Sequence, residues 1–184
     1  MTLSHLTRTA LAASAVALIS ACASSPPMMA FSQDGLPPTV QVPAGNKVAM
    51  ETVGVGEITY ECRTKAGMPG QAEWVFVGPD AKLMDRSGKQ VGKYYGPPAT
   101  WESMDGSKLT ATQVAVSQAM AGNIPLQLVK GNPAVGAGAM QGVTYIQRVA
   151  TKGGVAPASG CDGTTMGKKE IVKYKADYIF WRAV

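Results

Sequence analysis

Residues 142–161 read Gly142-Val-Thr-Tyr-Ile-Gln-Arg-Val-Ala-Thr-Lys-Gly-Gly-Val-Ala-Pro-Ala-Ser-Gly-Cys161. Val143 to Thr151, rich in β-branched and aromatic residues, reads as a strand. Gly153-Gly154 and Ala156-Pro157 then turn the chain, which stops at a cysteine. Strand, turn and strand again is the pattern on both sides of this stretch. On its C-terminal side, Val172, Tyr174, Ala176, Tyr178 and Phe180 alternate with Lys173, Lys175, Asp177, Ile179 and Trp181. That period of two marks a strand from Glu170 to Arg182. Its polar side turns apolar at Ile179, so the last residues are expected to be covered on both faces.

On the N-terminal side the alternation repeats. Ile58, Tyr60 and Cys62 share one face, and Thr59, Glu61 and Arg63 the other. This points Cys62 inward. Further strands are expected at Lys47–Val53, Gly56–Thr64, Glu73–Val77, Ala81–Asp85, Gln90–Tyr95, Lys108–Val116 and Ile124–Lys130, with a short one from Thr100 and a helical turn near Ser117–Gly122. About nine or ten short strands, spaced roughly 8–12 residues apart, predict an all-β fold: one compact sandwich or barrel with at most short helical turns.

The 184 residues suit one domain, and 46% apolar residues suffice for a core. Gly 21 and Pro 12 favour turns over long helices. Net charge is +5, with the cations scattered apart from Lys168-Lys169 and Lys173-x-Lys175. A nucleic-acid footprint needs a basic stripe with base-reading partners, so nucleic acid is not an expected partner.

The first 21 residues form an address. Arg8 precedes an apolar run from Ala10 to Ile19, which is too short to span a bilayer as a helix. Leu18-Ile19-Ser20-Ala21-Cys22 then matches a bacterial lipobox. Cys22 is expected to carry lipid and, after cleavage, to become the first residue. Ordinary signal cleavage at Ala21-Cys22-Ala23 is the alternative. Residues 22–43, with Ser-Ser-Pro-Pro and Leu-Pro-Pro, read as a flexible tether, and 44–184 as the domain. The expected location is the periplasmic side of the envelope, with Ala23 pointing to the outer membrane. A membrane reached through the lipid is an expected partner; the residues name no ligand or protein partner.

With Cys22 lipidated, Cys62 and Cys161 remain as a pair in an oxidising compartment, so a disulfide is expected. A metal site is the competing reading, but the mature chain lacks His and two thiolates do not close a zinc site.

The one His, His5, lies in the address, so Ser-His-Asp and Cys-His catalysis have no base. Gly54-Val-Gly56 and Gly136-Ala-Gly138 lack the third glycine at the required spacing and the strand–turn–helix setting of a dinucleotide site. The ten Met are dispersed as core fillers rather than copper ligands, and no cofactor is expected. Two polar features remain. Glu102 and Asp105, beside Trp101, could form a carboxylate pair for glycoside cleavage, although Asp-Gly-Ser is ordinary turn chemistry. Arg148, opposite in face to Tyr145, either meets solvent, fixes a neighbouring loop through an acid, or binds an anion with an aromatic partner. The function expected is a non-catalytic binding or structural module. A His-free carboxylate hydrolase acting on an envelope saccharide is the alternative.

Several motifs together resemble a known family. These are Tyr60-Glu-Cys62, Trp74-Val-Phe76 with Gly78-Pro79-Asp80-Ala81, Gly88-Lys89 with Gly92, Thr100-Trp-Glu102 with Asp105-Gly-Ser107, and Ile146-Gln-Arg148 through Gly153-Gly154 and Ala156-Pro157 to Gly160-Cys161. They are similar to the family catalogued as domain of unknown function 3455, over about Val42 to the end. The resemblance implies a secreted bacterial or fungal protein with no established biochemical role. Some members carry a dehydrogenase label, which the glycine spacing here does not support. Members commonly have a His and a Gly-Pro just before the Thr-Trp-Glu segment, where this chain has Lys93-Tyr94-Tyr95 and Gly-Pro-Pro-Ala.

Overall fold

A computed structural model describes residues 31–184, so the address, Cys22 and the first part of the tether lie outside the described residues. Eight strands run β1 Asn46–Thr64, β2 Ala72–Met84, β3 Gln90–Tyr95, β4 Thr100–Ser103, β5 Lys108–Ser117, β6 Leu126–Gly131, β7 Val143–Gly153 and β8 Lys169–Ala183. Each pairs antiparallel with its neighbour in sequence, and β1 pairs with β8, so the sheet closes into a barrel. The expected all-β fold is a barrel rather than a sandwich.

The count is eight rather than nine or ten because two expected breaks are not breaks. Gly54 and Gly56 were expected to separate two strands, but β1 runs through both with continuous pairing to β8. These glycines face inward where the barrel wall is tight. A Cβ at Gly54 would lie 2.4 Å from Cε2 of Tyr178, and one at Gly56 would lie 2.1 Å from the carbonyl oxygen of Asp80. Likewise Gly78-Pro79-Asp80 stays inside β2, with Pro79 opposite Ile58 and Gly78 opposite Thr59; the register shift falls just before them, at Val77. Ser117–Gly122 forms no helix, and Ile124 leaves the strand to join the core instead.

The interior is filled by inward side chains from around the wall, as a barrel of this size requires. Ile58, Leu83, Tyr94, Trp101, Leu109, Ile146, Tyr174, Tyr178 and Phe180 form one buried cluster. Tyr94 stacks on Trp101 with ring centroids 4.5 Å apart, and Tyr178 tilts against Tyr94 at 5.1 Å.

A second cluster lies outside the barrel. Val40, Val42, Leu128, Val149, Ile179 and Trp181 are buried together, with Phe31 and Leu36 packed against them. The segment 31–43, read from sequence as tether, therefore covers part of the outer wall, with one turn of 3-10 helix at Pro38–Val40. Gln147, fully buried, fastens it: its amide donates to the Val40 carbonyl at 2.7 Å and to Gln33 Oε1 at 3.0 Å, while its Oε1 accepts the Trp181 indole N–H at 2.9 Å. The coverage of Ile179 and Trp181 on the outer face is the two-sided burial expected from the change in pattern along β8.

Candidate functional site

The two ends of the barrel are built differently. At the lower end, where β1 starts and β8 finishes, the loop between β6 and β7 folds over the opening. Met140 enters the interior cluster and is 1% exposed. Its N–H donates to Ser107 Oγ at 3.1 Å, and the Ala139 N–H donates to Asp105 Oδ2 at 2.7 Å. Asp105 also accepts from the N–H and hydroxyl of Ser107. These donors, the Ser107 hydroxyl first, hold its carboxyl down at about 2. Gly138 is required there, because a Cβ would meet the Asp105 carboxylate. The Gly136-Ala-Gly138 pair thus serves loop closure.

At the upper end the connections are tied down around the rim. Cys62 and Cys161 form the expected disulfide, with Cα atoms 5.3 Å apart, fastening the β7–β8 connection to β1. The Tyr60 hydroxyl donates to the Gly154 carbonyl at 2.6 Å, and the Trp74 indole N–H to the Ser159 carbonyl at 3.0 Å. Yet inward-facing residues here meet solvent. Phe76, opposite Tyr60 in register, is 52% exposed; Val116, opposite Gln127, is 47% exposed. This end is open.

Arg148 stands in that mouth. Ile146, two residues earlier on β7, is in the interior cluster, so Arg148 faces inward too, between Gln127 of β6 and Tyr178 of β8. Its Nε and Nη2 donate to the Pro125 carbonyl at 3.2 and 3.0 Å. It therefore fixes the β5–β6 connection through a backbone carbonyl rather than an acid. No carboxylate pairs with it among the described residues, and its Nη1 is left open. Burial pushes the hydroxyls of Tyr60, Tyr94, Tyr174 and Tyr178 upward, while the Arg148 charge pulls each back. One cation thus acts on four inward phenols. Beside it the Gln127 amide donates to Gln113 Oε1 at 2.8 Å. Glu170, at the rim of β8, is engaged by Lys168 at 2.8 Å.

The sequence-derived carboxylate pair does not assemble. Glu102 sits on the outer wall, where it accepts from the Tyr95 hydroxyl at 2.7 Å and lies 3.4 Å from Lys93 Nζ. Tyr95 first, then Lys93, hold its carboxyl below the usual range. Asp105 is bound into the lower loop, and Trp101 points into the barrel at 2% exposure. Adjacent positions on a strand face opposite ways, so Trp101 and Glu102 lie on opposite sides of the wall. Sequence reasoning overlooked Phe76, Val116, Gln113 and Gln127. Alternation showed which way some of these point, but not that the barrel stops short of covering them. An outer groove of about 440 Å³ lies between the β5–β6 connection and Ala150–Lys152, with Met120 on its lip and Lys152 its one charge.

The model of the family described as "Protein of unknown function (DUF3455)" matches residues 43–182, the barrel almost entire. No curated protein and no solved structure matches the chain.

Proposed function

We propose, from the premise that this chain belongs to the DUF3455 family, that it is a lipid-anchored protein of the periplasmic side of the envelope, most simply the outer membrane, and a non-catalytic binding module working through the open end of its barrel. The anchor rests on the lipobox ending at Cys22. The binding role rests on one observation: Phe76 and Val116 face inward and remain exposed beside an inward Arg148 with no acid partner among the described residues. A barrel built only as a spacer gains nothing from apolar side chains exposed at one end, since exposed apolar surface forfeits about 25 cal/mol per Å².

Two measurements test this. Cys22→Ser should move the protein from the membrane fraction to the soluble fraction of the envelope; unchanged partition removes the anchor. Native mass spectrometry of the protein taken from its own envelope should show a bound small molecule that Val116→Trp, which fills the mouth, excludes. A folded wild-type protein without such an adduct, or an adduct indifferent to the plug, counts against binding through the mouth.

A further inference from the structure

The upper mouth has a chemistry specific enough to name what fits it. Among the described residues, the cation on the inner wall near this end is Arg148; Arg182, the other inward-facing arginine, lies at the lower end, where it donates to the Ala139 carbonyl. The acid that shares its inward parity, Glu170, sits at the rim in an ion pair with Lys168. Arg148 is positioned before any ligand arrives, because Nε and Nη2 are pinned on the Pro125 carbonyl. A guanidinium so fixed loses little freedom when Nη1 takes up an anion. The amides of Gln113 and Gln127 stand beside it, paired to each other and able to turn a donor outward. Two apolar side chains flank the opening, Val116 on β5 next to Gln127 and Phe76 on β2, both exposed.

The depth of the site is limited. Below the mouth Tyr178 is fully buried and Trp101 nearly so, in a cluster where Trp101 stacks on Tyr94 and Tyr178 packs edge-on against Trp101. A long acyl chain has no room to descend between them. A single ring or a short chain can lie against Phe76 and Val116 with its charged end at Arg148.

We infer that the mouth binds a small organic carboxylate with a compact apolar body, its carboxylate on Arg148 and its apolar part against Phe76 and Val116. This rests on the reading of the open end as the binding site and assigns that site a ligand class.

The test uses benzoate and its neutral isostere benzamide, titrated into the mature protein and followed by backbone and side-chain NMR shifts at Phe76, Val116 and Gln127. Benzoate should bind at least roughly tenfold more tightly than benzamide, the scale of one charge-assisted contact. Arg148→Gln, which keeps a donor for the Pro125 carbonyl, should erase that preference and leave benzamide unchanged. Phe76→Ala, on an exposed side chain, should weaken both probes alike. Equal affinity for the two probes, or a preference that survives Arg148→Gln, overturns the carboxylate assignment while leaving the mouth as the site. If neither probe moves these resonances, the ligand class is wrong; the mass-spectrometric adduct and its response to Val116→Trp then decide separately whether the mouth binds anything.

Discussion

The lower end of the barrel is shut by side chains, and the upper end is held open by staples. Below, Met140 and Ser107 fill the opening and Asp105 ties the covering loop by its backbone. Above, a disulfide, a pinned carbonyl at Pro125 and two aromatic hydrogen bonds secure the connections, while Phe76 and Val116 stay wet. The difference teaches how a small barrel can expose part of its inner face and still fold. Packing needs contiguous apolar contact, which a mouth interrupts; a covalent link or a carbonyl bond acts at a point and leaves the space beside it free.

The largest effect should come from the staple. Replacing both Cys62 and Cys161 by Ala opens a loop of 99 residues, which the chain-entropy model values at roughly 4–5 kcal/mol. Urea unfolding should show this as a lower midpoint. A loss below about 1 kcal/mol would mean that packing alone holds the upper end, and the contrast between the ends would collapse.

Next is the plug. Met140→Ala removes a buried side chain that also closes the lower opening, and should cost about 2–5 kcal/mol in the same experiment. A neutral result would show that the lower loop is decoration rather than closure.

The third prediction concerns acid. The Asp105 carboxyl titrates at about 2 in the folded chain, against an ordinary 3.8. A depressed value means that its contribution is complete above the ordinary value and is lost as pH falls from about 4 towards 2. The protection factors of the Ala139 and Met140 amides against hydrogen exchange should therefore fall across that window more than those at the upper rim. Asp105→Asn should abolish the difference. An equal fall in protection at both ends would show global rather than local loosening.

The smallest effect is expected at Phe76. Phe76→Ser should change stability by no more than about 0.5 kcal/mol, because the ring is exposed. A loss of 2 kcal/mol or more would show that the upper end is packed, and that the mouth does not exist.

Much of the wall was legible before any coordinates. In β8 the inward set Val172, Tyr174, Ala176, Tyr178 and Phe180 follows the alternation read from the residues, because period two survives where one face is in the core. The inward direction of Cys62 and its pairing with Cys161 followed from parity and from counting thiols. The strands around Gly54 and Gly78 were misdivided because glycine has the same local signature whether it breaks a strand or lets a strand pass close to a ring or a backbone. The segment 31–43 was misread for a related reason: Phe31, Leu36, Val40 and Val42 follow no period, and Gln33 and Gln41 satisfy backbone groups that a helix or sheet would otherwise satisfy.

The carboxylates show the limit for the site. Glu102 and Asp105 are neighbours in sequence, yet one stands on the outer wall and the other, exposed, is bonded to the backbone of the loop over the lower opening. The mouth residues are scattered over four strands, and nothing in their spacing links Phe76 to Val116 or Arg148.

By itself the sequence determined an all-β domain, its family and the thiol pair that fastens it. These are carried by local periodicity, composition and short motifs, which need only a few consecutive residues to be read. Closure into a barrel of eight strands, the open upper end, and the placing of Arg148 inside it were decided by tertiary structure. They depend on how far each strand extends past its neighbours and on which loops reach across the ends. Those are long-range packing outcomes that no single stretch of chain encodes.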